Sequence, residues 1–188
     1  MNGATAFLDS STLYGNSEDK TNDLRTFEGG LLRTSFGDLL PVDHSCDIFS
    51  NNSTNCVESG DVRVNESPAL TVLHTLFVRQ HNRLAAKLGR VNNLWDDETL
   101  FQEARRLVTA QIQHVTYREF LPAVLGENLA ENLQLMPQTA GHFSGYDIDA
   151  YPGALEAAAS TALSFSLAML PAKFETFTMV NKILKKKS

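Results

Sequence analysis

The 188-residue sequence lacks most of the features that mark specialised classes of protein. It has no run of the roughly 18 to 20 apolar residues that a membrane-spanning helix needs, and its first residues have neither the basic nor the apolar segment of a signal peptide. Lys and Arg number 16 against 22 Asp and Glu, and the formal net charge of −6 argues against a nucleic-acid-binding surface. We therefore expect no membrane span, no nucleic-acid partner and no targeting signal in these residues.

Cysteine is scarce, and the positions of the two cysteines carry information. Cys46 and Cys56 enclose a short polar loop that contains two overlapping N-glycosylation acceptors, Asn51 and Asn52. Asn65 is a third, poorer candidate, because a proline follows its triplet. Such a loop indicates an oxidising, secretory compartment, although two free thiols and chance acceptor sites would give the same pattern. Two thiols without a nearby Cys/His pair do not supply the four ligands of a structural zinc site.

The strongest local patterns are helical. Residues 1–60 are rich in loops, with a two-turn helix predicted within 16–27, capped by Ser17 and stopped by Gly29 and Gly30. A long helix is predicted to begin with Ser67 as cap and Pro68 as its first residue, and to end near Gly89. Its predicted inner face comprises Leu70, Leu73, His74, Phe77, His81, Leu84 and Leu88, whereas Arg79, Arg83 and Lys87 lie off it.

A second long helix is predicted to start at Asp96 or Asp97, and Pro122 and Gly126 end that region. Its predicted inner face comprises Leu100, Phe101, Ala104, Leu107, Val108, Gln111, Ile112 and Val115. Residues 136–153 have the composition of a loop, and residues 154–170 resume a helical pattern. Because strand signals are weak throughout, we expect a mainly α domain.

Three groups of residues are candidates for function, and each has a plainer explanation. Arg63 and Glu66 share a face of a helical turn, as a solvated surface pair at a helix start also would. Thr5, Asp9 and Ser11 could direct oxygen atoms to one side of an extended segment, but a single carboxylate is too few for a calcium ion, so a turn is the better explanation of these residues taken alone. His74 and His81 are two turns apart, about 10 Å along a helix, so we interpret them as neutral core histidines hydrogen-bonded to backbone or carboxylate rather than ligands of one metal ion.

Four long motifs together resemble the animal haem peroxidase family of the peroxidasin, peroxinectin and myeloperoxidase type. They are TAFLDSSTLYG, GDVRVNES, LTVLHTLFVRQHNRLA and LFQEARRLVTAQIQHVTYREFLP, and the match extends from residue 2 to about residue 171. The resemblance implies the central portion of that family's helical fold, incomplete at both ends. Residues 1–171 would be a partial haem peroxidase domain, and residues 172–188 a divergent basic tail.

The resemblance also implies roles for single residues. Arg63 would lie on the distal side of a haem and polarise bound hydrogen peroxide, Glu66 would be the carboxylate that can esterify a haem methyl group, and Ser67 stands where some vertebrate members have a haem-linking methionine. Cys46 and Cys56 match a local disulfide. The calcium loop of the family is matched by Thr5, Phe7 through its carbonyl, Asp9 and Ser11.

The chain departs from the family pattern where iron would bind. Leu167 stands at the position of the iron-ligating histidine, and a leucine cannot ligate iron. Ser166 and Ser164 replace the glycine and the arginine of the same motif. The distal histidine and the second calcium carboxylate, which the family places before the calcium loop, have no counterpart in these 188 residues. His44, His114 and, nearest in sequence, His142 are poor substitutes, because an axial ligand must be held over the haem plane.

Two functions are therefore expected. The first is that of a secreted haem peroxidase, which oxidises small donors with hydrogen peroxide and takes part in the response to oxidative stress; this chain alone would be an inactive fragment with weak haem binding and an incomplete Ca²⁺ site. The alternative is a non-catalytic, truncated or degenerate paralogue that acts as a binding or structural piece. Such a piece would self-associate through exposed apolar surface.

Overall fold

A computed structural model describes residues 5–43, 56–141, 143–153, 155 and 169. The prediction of a mainly α fold is confirmed, because the described residues form helices and turns without any strand. Residues pair across the chain only as isolated bridges, namely Arg25 with Leu32, Ser35 with Leu39 and Val42 with Val57. In this part of the chain no helix has the length and apolar character needed to cross a bilayer. The chain divides into two compact units between residues 152 and 153, and the description below concerns the first.

Two short helices open the first unit, α1 (Ser11–Tyr14) and α2 (Glu18–Asp23). The predicted cap of α2 is present, because the Ser17 hydroxyl accepts a hydrogen bond from the Lys20 amide at 3.2 Å. The helix ends at Asp23, several residues before the glycines that were predicted to stop it.

The long helix α3 (Pro68–Val91) begins where the sequence predicts, with Ser67 as its cap and Pro68 in its first turn. The prediction that Gly89 ends it is wrong. The helix continues through Gly89, which packs against the Leu100 side chain, and the Asn92 amide closes the last turn on the Leu88 carbonyl at 2.8 Å.

The buried face of α3 is rotated relative to the predicted one. Thr75, Val78, His81 and Ala85 are buried, whereas Leu73 is 50% exposed. Thr75 can face the core because its hydroxyl donates to the Thr71 carbonyl at 2.7 Å and therefore leaves no polar group unpaired. A prediction from apolar residues alone places Thr75 on the solvent side, and it therefore gives the wrong orientation for the buried face of α3.

Helix α4 (Asp97–Val115) is capped by Asp96, whose carboxylate accepts from the Thr99 amide at 2.8 Å. Its buried residues are Leu100, Phe101, Ala104 and Val108, so the predicted face was too wide: Leu107 and Val115 are exposed. A π-helical turn (Thr116–Phe120) leads into α5 (Leu121–Leu125).

The prediction that the helical region ends at Gly126 is wrong, because α6 (Glu127–Asn132) follows directly. Gly126 has a φ of 83°, which interrupts the helix without ending the helical region. Residues 136–141 and 143–153 form turns and bends, as their composition predicts. The helix predicted over 154–170 lies outside the described residues, apart from residues 155 and 169.

One hydrophobic core joins the N-terminal segment to the packed pair α3 and α4. Its buried members are Leu13, Tyr14, Leu24, Leu32, Leu40, Val64, Val78, Phe101 and Val108. Val64 belongs to a 3₁₀ turn (Val62–Asn65) immediately before α3, and it is 1% exposed. The core therefore fixes the short turn that carries Arg63.

Candidate functional site

The 3₁₀ turn before α3 is held by side chains on every side. Asp61 caps it by accepting from the Arg63 amide at 2.8 Å. Asn65 anchors its end, because the Asn65 side-chain amide accepts from the Val57 amide and donates to the Val57 carbonyl, both at 2.9 Å. The Thr71 hydroxyl donates to the Val64 carbonyl at 2.7 Å and so joins the turn to α3. The backbone that presents Arg63 is therefore fixed at both ends.

The Arg63 side chain forms a two-bond ion pair with Asp61. Its Nε donates to Asp61 Oδ1 at 2.9 Å, and its Nη2 donates to Asp61 Oδ2 at 2.6 Å. The hydrogen bond from Arg63 is the largest cause that lowers the pKa of the Asp61 carboxyl. In return, the bond to Asp61 raises the pKa of Arg63, and the charge of Glu66 adds to that increase. The Arg63 side chain nevertheless remains 54% exposed.

Glu66 closes the turn, since its amide donates to the Arg63 carbonyl at 3.0 Å, and its side chain is exposed. The structure thus brings together Arg63 and Glu66, the two residues that the sequence singles out. Sequence reasoning missed Asp61, which is the direct partner of Arg63. The signal was present, because an aspartate two residues before an arginine, at a predicted helical turn, has the spacing of a capping residue.

His74 lies in the second turn of α3. Its Nδ1 lies 2.7 Å from the Leu70 carbonyl, and because a carbonyl only accepts, Nδ1 carries a proton. The Nε2 atom of His74 is buried and has no hydrogen-bond partner among the described residues. The predicted backbone hydrogen bond is therefore present at one ring nitrogen only.

His81 fulfils the prediction of a neutral core histidine. It is 0% exposed; its Nε2 donates to the Gly30 carbonyl at 2.8 Å, and its Nδ1 accepts from the Tyr14 hydroxyl at 2.9 Å. Burial lowers the pKa of His81 to about 4, and the charges of Arg25 and Arg105 add to this effect. The same burial raises the pKa of the Tyr14 hydroxyl.

A buried arginine, which the sequence does not reveal, continues this polar network. Arg25 is 6% exposed and lies over the Phe101 ring, with its guanidinium carbon 4.0 Å from the ring centroid. It pairs with Asp97 at 2.7 Å and with Glu98. Asp97 in turn accepts from the Gly30 amide at 2.6 Å. These contacts tie the N-terminal segment to α4 and fix the scaffold on which the 3₁₀ turn rests.

The predicted calcium residues lie in two successive turns rather than in an extended segment. The Thr5 hydroxyl accepts from the Phe7 amide at 3.1 Å, and the Asp9 carboxylate accepts from the Ser11 amide at 2.9 Å. Asp9 faces a cleft that Gln102 and Arg105 also line. Among the described residues, no group of three or more His, Cys, Asp or Glu side chains could hold a metal ion. The four residues supply oxygen donors, but not a complete calcium site by themselves.

Several predicted residues lie outside the described part of the chain. Cys56 is disulfide-bonded, whereas its predicted partner Cys46 is not among the described residues. The others outside it are Asn51, Asn52, His44, His142, Ser164, Ser166 and Leu167. Of the glycosylation candidates only Asn65 is described, and its amide nitrogen is already bonded to the Val57 carbonyl.

Comparison with known proteins identifies the scaffold. The family model for the animal haem peroxidases matches residues 1–188. Chorion peroxidase of Aedes aegypti is 39% identical over 184 residues, which cover 93% of this chain and 22% of that protein. Myeloperoxidase of Mus musculus is 45% identical over 139 residues, which cover 67% of this chain and 19% of that protein.

Solved structures share the helical scaffold. Peroxidase A from Dictyostelium discoideum superposes with a TM-score of 0.54 at 37% sequence identity, over 62% of this chain and 24% of that chain. A fatty acid alpha-dioxygenase from Oryza sativa gives a TM-score of 0.56 at 30% identity, over 66% of this chain and 19% of that chain. This chain spans about a fifth of the length of the curated proteins named above. The sequence motifs, the helical scaffold and the match to the family model lead to one conclusion: the chain belongs to the animal haem peroxidase family.

Proposed function

We propose that this chain provides the arginine-bearing part of a haem peroxidase site, in a protein that oxidises small donors with hydrogen peroxide and takes part in the response to oxidative stress. The observation that carries the proposal is the geometry of Arg63. A guanidinium that is ion-paired along one edge and half exposed stands next to Glu66 at the start of α3. Its remaining N–H groups are suited to stabilise an oxygen atom that gains negative charge when a peroxide bond breaks.

Among the described residues, Arg63 and Glu66 are suited to serve a bound haem, but no histidine is suited to ligate its iron. When bound, haem supplies the redox-active iron that peroxidase chemistry needs. Arg63 would face the peroxide, and the exposed Glu66 carboxylate would be available for an ester with the haem. The described histidines offer no comparable iron ligand: His81 uses both ring nitrogens, and His74 has one nitrogen bonded and the other buried. His114 does not belong to the turn that carries Arg63 and Glu66, because it lies in the last turn of α4.

Leu167 is the second reason to expect a weak haem site. It occupies the family's iron-ligand position and has no atom that can bind iron. We therefore propose that residues 1–188 by themselves bind haem weakly and do not oxidise donors faster than free haem does.

The proposal can be tested on the chain of residues 1–188 by titration with haemin, followed through the Soret band and through guaiacol oxidation by hydrogen peroxide. We expect a shallow, non-saturating change and a rate no higher than that of free haemin. A saturable site with a shifted Soret peak, together with activity that Arg63→Ala abolishes, would contradict the proposed inactivity. Arg106→Ala is the matched control, because Arg106 is 76% exposed and pairs with Glu103.

A second variant tests the role of Arg63 itself. Leu167→His restores an imidazole at the family's ligand position, and we expect it to give saturable haem binding and measurable peroxidase activity. Adding Arg63→Ala should lower that activity about a hundredfold, as the loss of one such donor does elsewhere; adding Arg106→Ala should not. If Leu167→His fails to improve haem binding, residue 167 is not the limiting position. If the activity is indifferent to Arg63, the proposed role of Arg63 is wrong.

The calcium and secretion assignments are further parts of the proposal. Thr5, Phe7, Asp9 and Ser11 would form part of a calcium loop whose remaining carboxylate comes from elsewhere in the protein. A pairing of Cys46 with Cys56 and glycosylation at Asn51 or Asn52 would suit a secreted protein. The disulfide bond at Cys56 supports that environment.

The exposed apolar residues of α3 favour a second candidate, a non-catalytic piece that self-associates. Val72, Leu73 and Leu76 are 57%, 50% and 53% exposed on the first turns of the helix. Neighbouring apolar side chains on one helix usually mark a contact surface. Light scattering after size-exclusion chromatography should show a dimer or larger species that Leu73→Gln and Leu76→Gln together convert to a monomer, whereas a monomeric wild-type chain would contradict this candidate.

A further inference from the structure

Tyr14 and His81 form a buried hydrogen bond whose direction is fixed by the backbone. The Gly30 carbonyl can only accept, so its 2.8 Å contact places the imidazole proton on His81 Nε2. His81 Nδ1 therefore carries a lone pair, and it accepts from the Tyr14 hydroxyl at 2.9 Å. Both side chains are 0% exposed. The pair thus consists of a phenol whose proton points at a neutral base, away from bulk water.

The surroundings of the pair keep this proton on Tyr14 in the resting protein. Burial raises the pKa of the Tyr14 hydroxyl, so the phenolate does not form at neutral pH. Burial also lowers the pKa of His81 to about 4, and the positive charges of Arg25 and Arg105 act in the same direction. The resting pair is therefore uncharged.

Loss of one electron from Tyr14 would reverse this preference. A phenol that has lost an electron is a strong acid, and a positive charge on a buried ring is costly. As the electron leaves, the hydroxyl proton can cross the hydrogen bond to His81 Nδ1. The Tyr14 O–H bond then breaks, an N–H bond forms on His81, and the products are a neutral tyrosyl radical and an imidazolium. The charges of Arg25 and Arg105 favour return of the proton, so an electron that comes back restores both groups.

Arg105 connects Tyr14 to the cleft that Asp9 faces. The guanidinium carbon of Arg105 lies 5.2 Å from the centroid of the Tyr14 ring, and the same side chain lines the cleft. Gly15 and Thr21 also line it, and the Thr21 hydroxyl donates to the Tyr14 carbonyl at 2.8 Å. A small molecule that touches Arg105 in the cleft is thus one side chain away from the Tyr14 ring. An electron can cross that separation although the molecule itself cannot.

We propose that Tyr14 is a redox-active residue: a one-electron oxidant of the haem–peroxide type converts it to a neutral radical while His81 takes its proton, and a small phenolic donor in the cleft reduces it again. The pair would hold one oxidising equivalent inside the protein, away from solvent. The inference rests on the proposed function only for the natural source of the oxidant, because the proton acceptor belongs to the described fold.

The chain has four tyrosines, which allows a test without haem. One variant keeps only Tyr14, through Tyr117→Phe, Tyr146→Phe and Tyr151→Phe. The matched control keeps only Tyr117, which is 38% exposed, and a variant without tyrosine gives the background. Each is oxidised by light with ruthenium tris(bipyridine) and persulfate, frozen, and measured by electron paramagnetic resonance. We expect a tyrosyl radical at Tyr14 that lasts at least about tenfold longer than the one at Tyr117, because burial excludes reaction partners.

His81→Gln in the variant that keeps only Tyr14 tests the proton acceptor. Glutamine can still donate to the Gly30 carbonyl, but its amide oxygen is not a base. The yield of the Tyr14 radical should therefore fall at least about tenfold. The same substitution in the variant that keeps only Tyr117 should leave the radical yield unchanged.

A second measurement serves if His81→Gln does not fold. Oxidation of Tyr14 should be slower after equilibration in D₂O than in H₂O, because the proton moves together with the electron. The proposal is overturned if Tyr14 gives no radical, if His81→Gln leaves its yield unchanged, or if D₂O leaves its rate unchanged. Failure of the chain to bind haemin would count against the proposed function alone, since these experiments contain no haem.

Discussion

The pH dependence of folding should report the burial of His81. Its pKa lies at about 4 rather than 6.5, so the folded chain keeps His81 neutral while the unfolded chain takes up a proton below pH 6.5. Stability from this source is complete above pH 6.5 and is lost as the pH falls toward 4. Each pH unit in that interval is worth about 1.4 kcal/mol, so the total loss approaches about 3 kcal/mol.

His81→Gln isolates this contribution. Glutamine can still donate to the Gly30 carbonyl but cannot titrate, and it leaves the Tyr14 hydroxyl unpaired at a cost of about 2 kcal/mol at pH 7. In urea unfolding between pH 7 and pH 4, the free energy of unfolding of the wild type should fall by about 3 kcal/mol relative to that of the variant, so that the variant becomes the more stable protein near pH 4. His114→Gln, at an exposed position, should keep the wild-type dependence. A wild-type advantage over His81→Gln that stays constant within about 0.5 kcal/mol would refute the reasoning.

Three further changes test other parts of the structure. Gly30→Ala should lower the free energy of unfolding in urea by more than about 3 kcal/mol, because at a φ of 68° the added Cβ would lie 2.5 Å from the Phe101 amide nitrogen. Gly37→Ala is the control and should cost only about 1 to 2 kcal/mol, because no atom lies within 4 Å of its added Cβ. Arg25→Met should destabilise the chain by about 2 kcal/mol by removing the cation that pairs with Asp97 and Glu98, and a loss as small as that of the exposed Arg106→Met would show that the network contributes little. Mass spectrometry of the unreduced chain from secretory cells should find Cys46 linked to Cys56 and glycan at Asn51 or Asn52 but not at Asn65; free thiols, or glycan at Asn65, would contradict the reasoning.

Helix beginnings were predictable because they depend on neighbouring residues. The predicted caps are present in three helices, where Ser17, Ser67 and Asp96 accept hydrogen bonds from first-turn amides. The orientations of the buried helix faces and the positions of the helix ends were less predictable. Thr75 faces the core through a hydrogen bond to its own helix, and Gly89 stays helical next to the Leu100 side chain. Both outcomes depend on contacts that a periodic pattern does not contain.

In the candidate site, too, contacts between neighbouring residues were predictable and contacts between distant residues were not. Arg63 and Glu66 are three residues apart, and their proximity follows from the turn. The pairing of Arg25 with Asp97 joins residues 72 positions apart, and no local signal distinguishes Arg25 from a surface arginine. The partner of Arg63 was local and could have been found, because Asp61 has the position of a capping residue. Sequence reasoning favoured Glu66 instead, because its three-residue spacing from Arg63 places both side chains on one face of a helical turn.

We propose that the chain keeps at Arg63 a half-exposed guanidinium paired with Asp61, and that it has at residue 167 a leucine in place of the imidazole that would bind the haem iron. Electron paramagnetic resonance of the chain loaded with one equivalent of haemin tests it most directly. We expect no imidazole-ligated ferric signal in the wild type and the appearance of that signal in Leu167→His. An imidazole-ligated signal already present in the wild-type chain would contradict it.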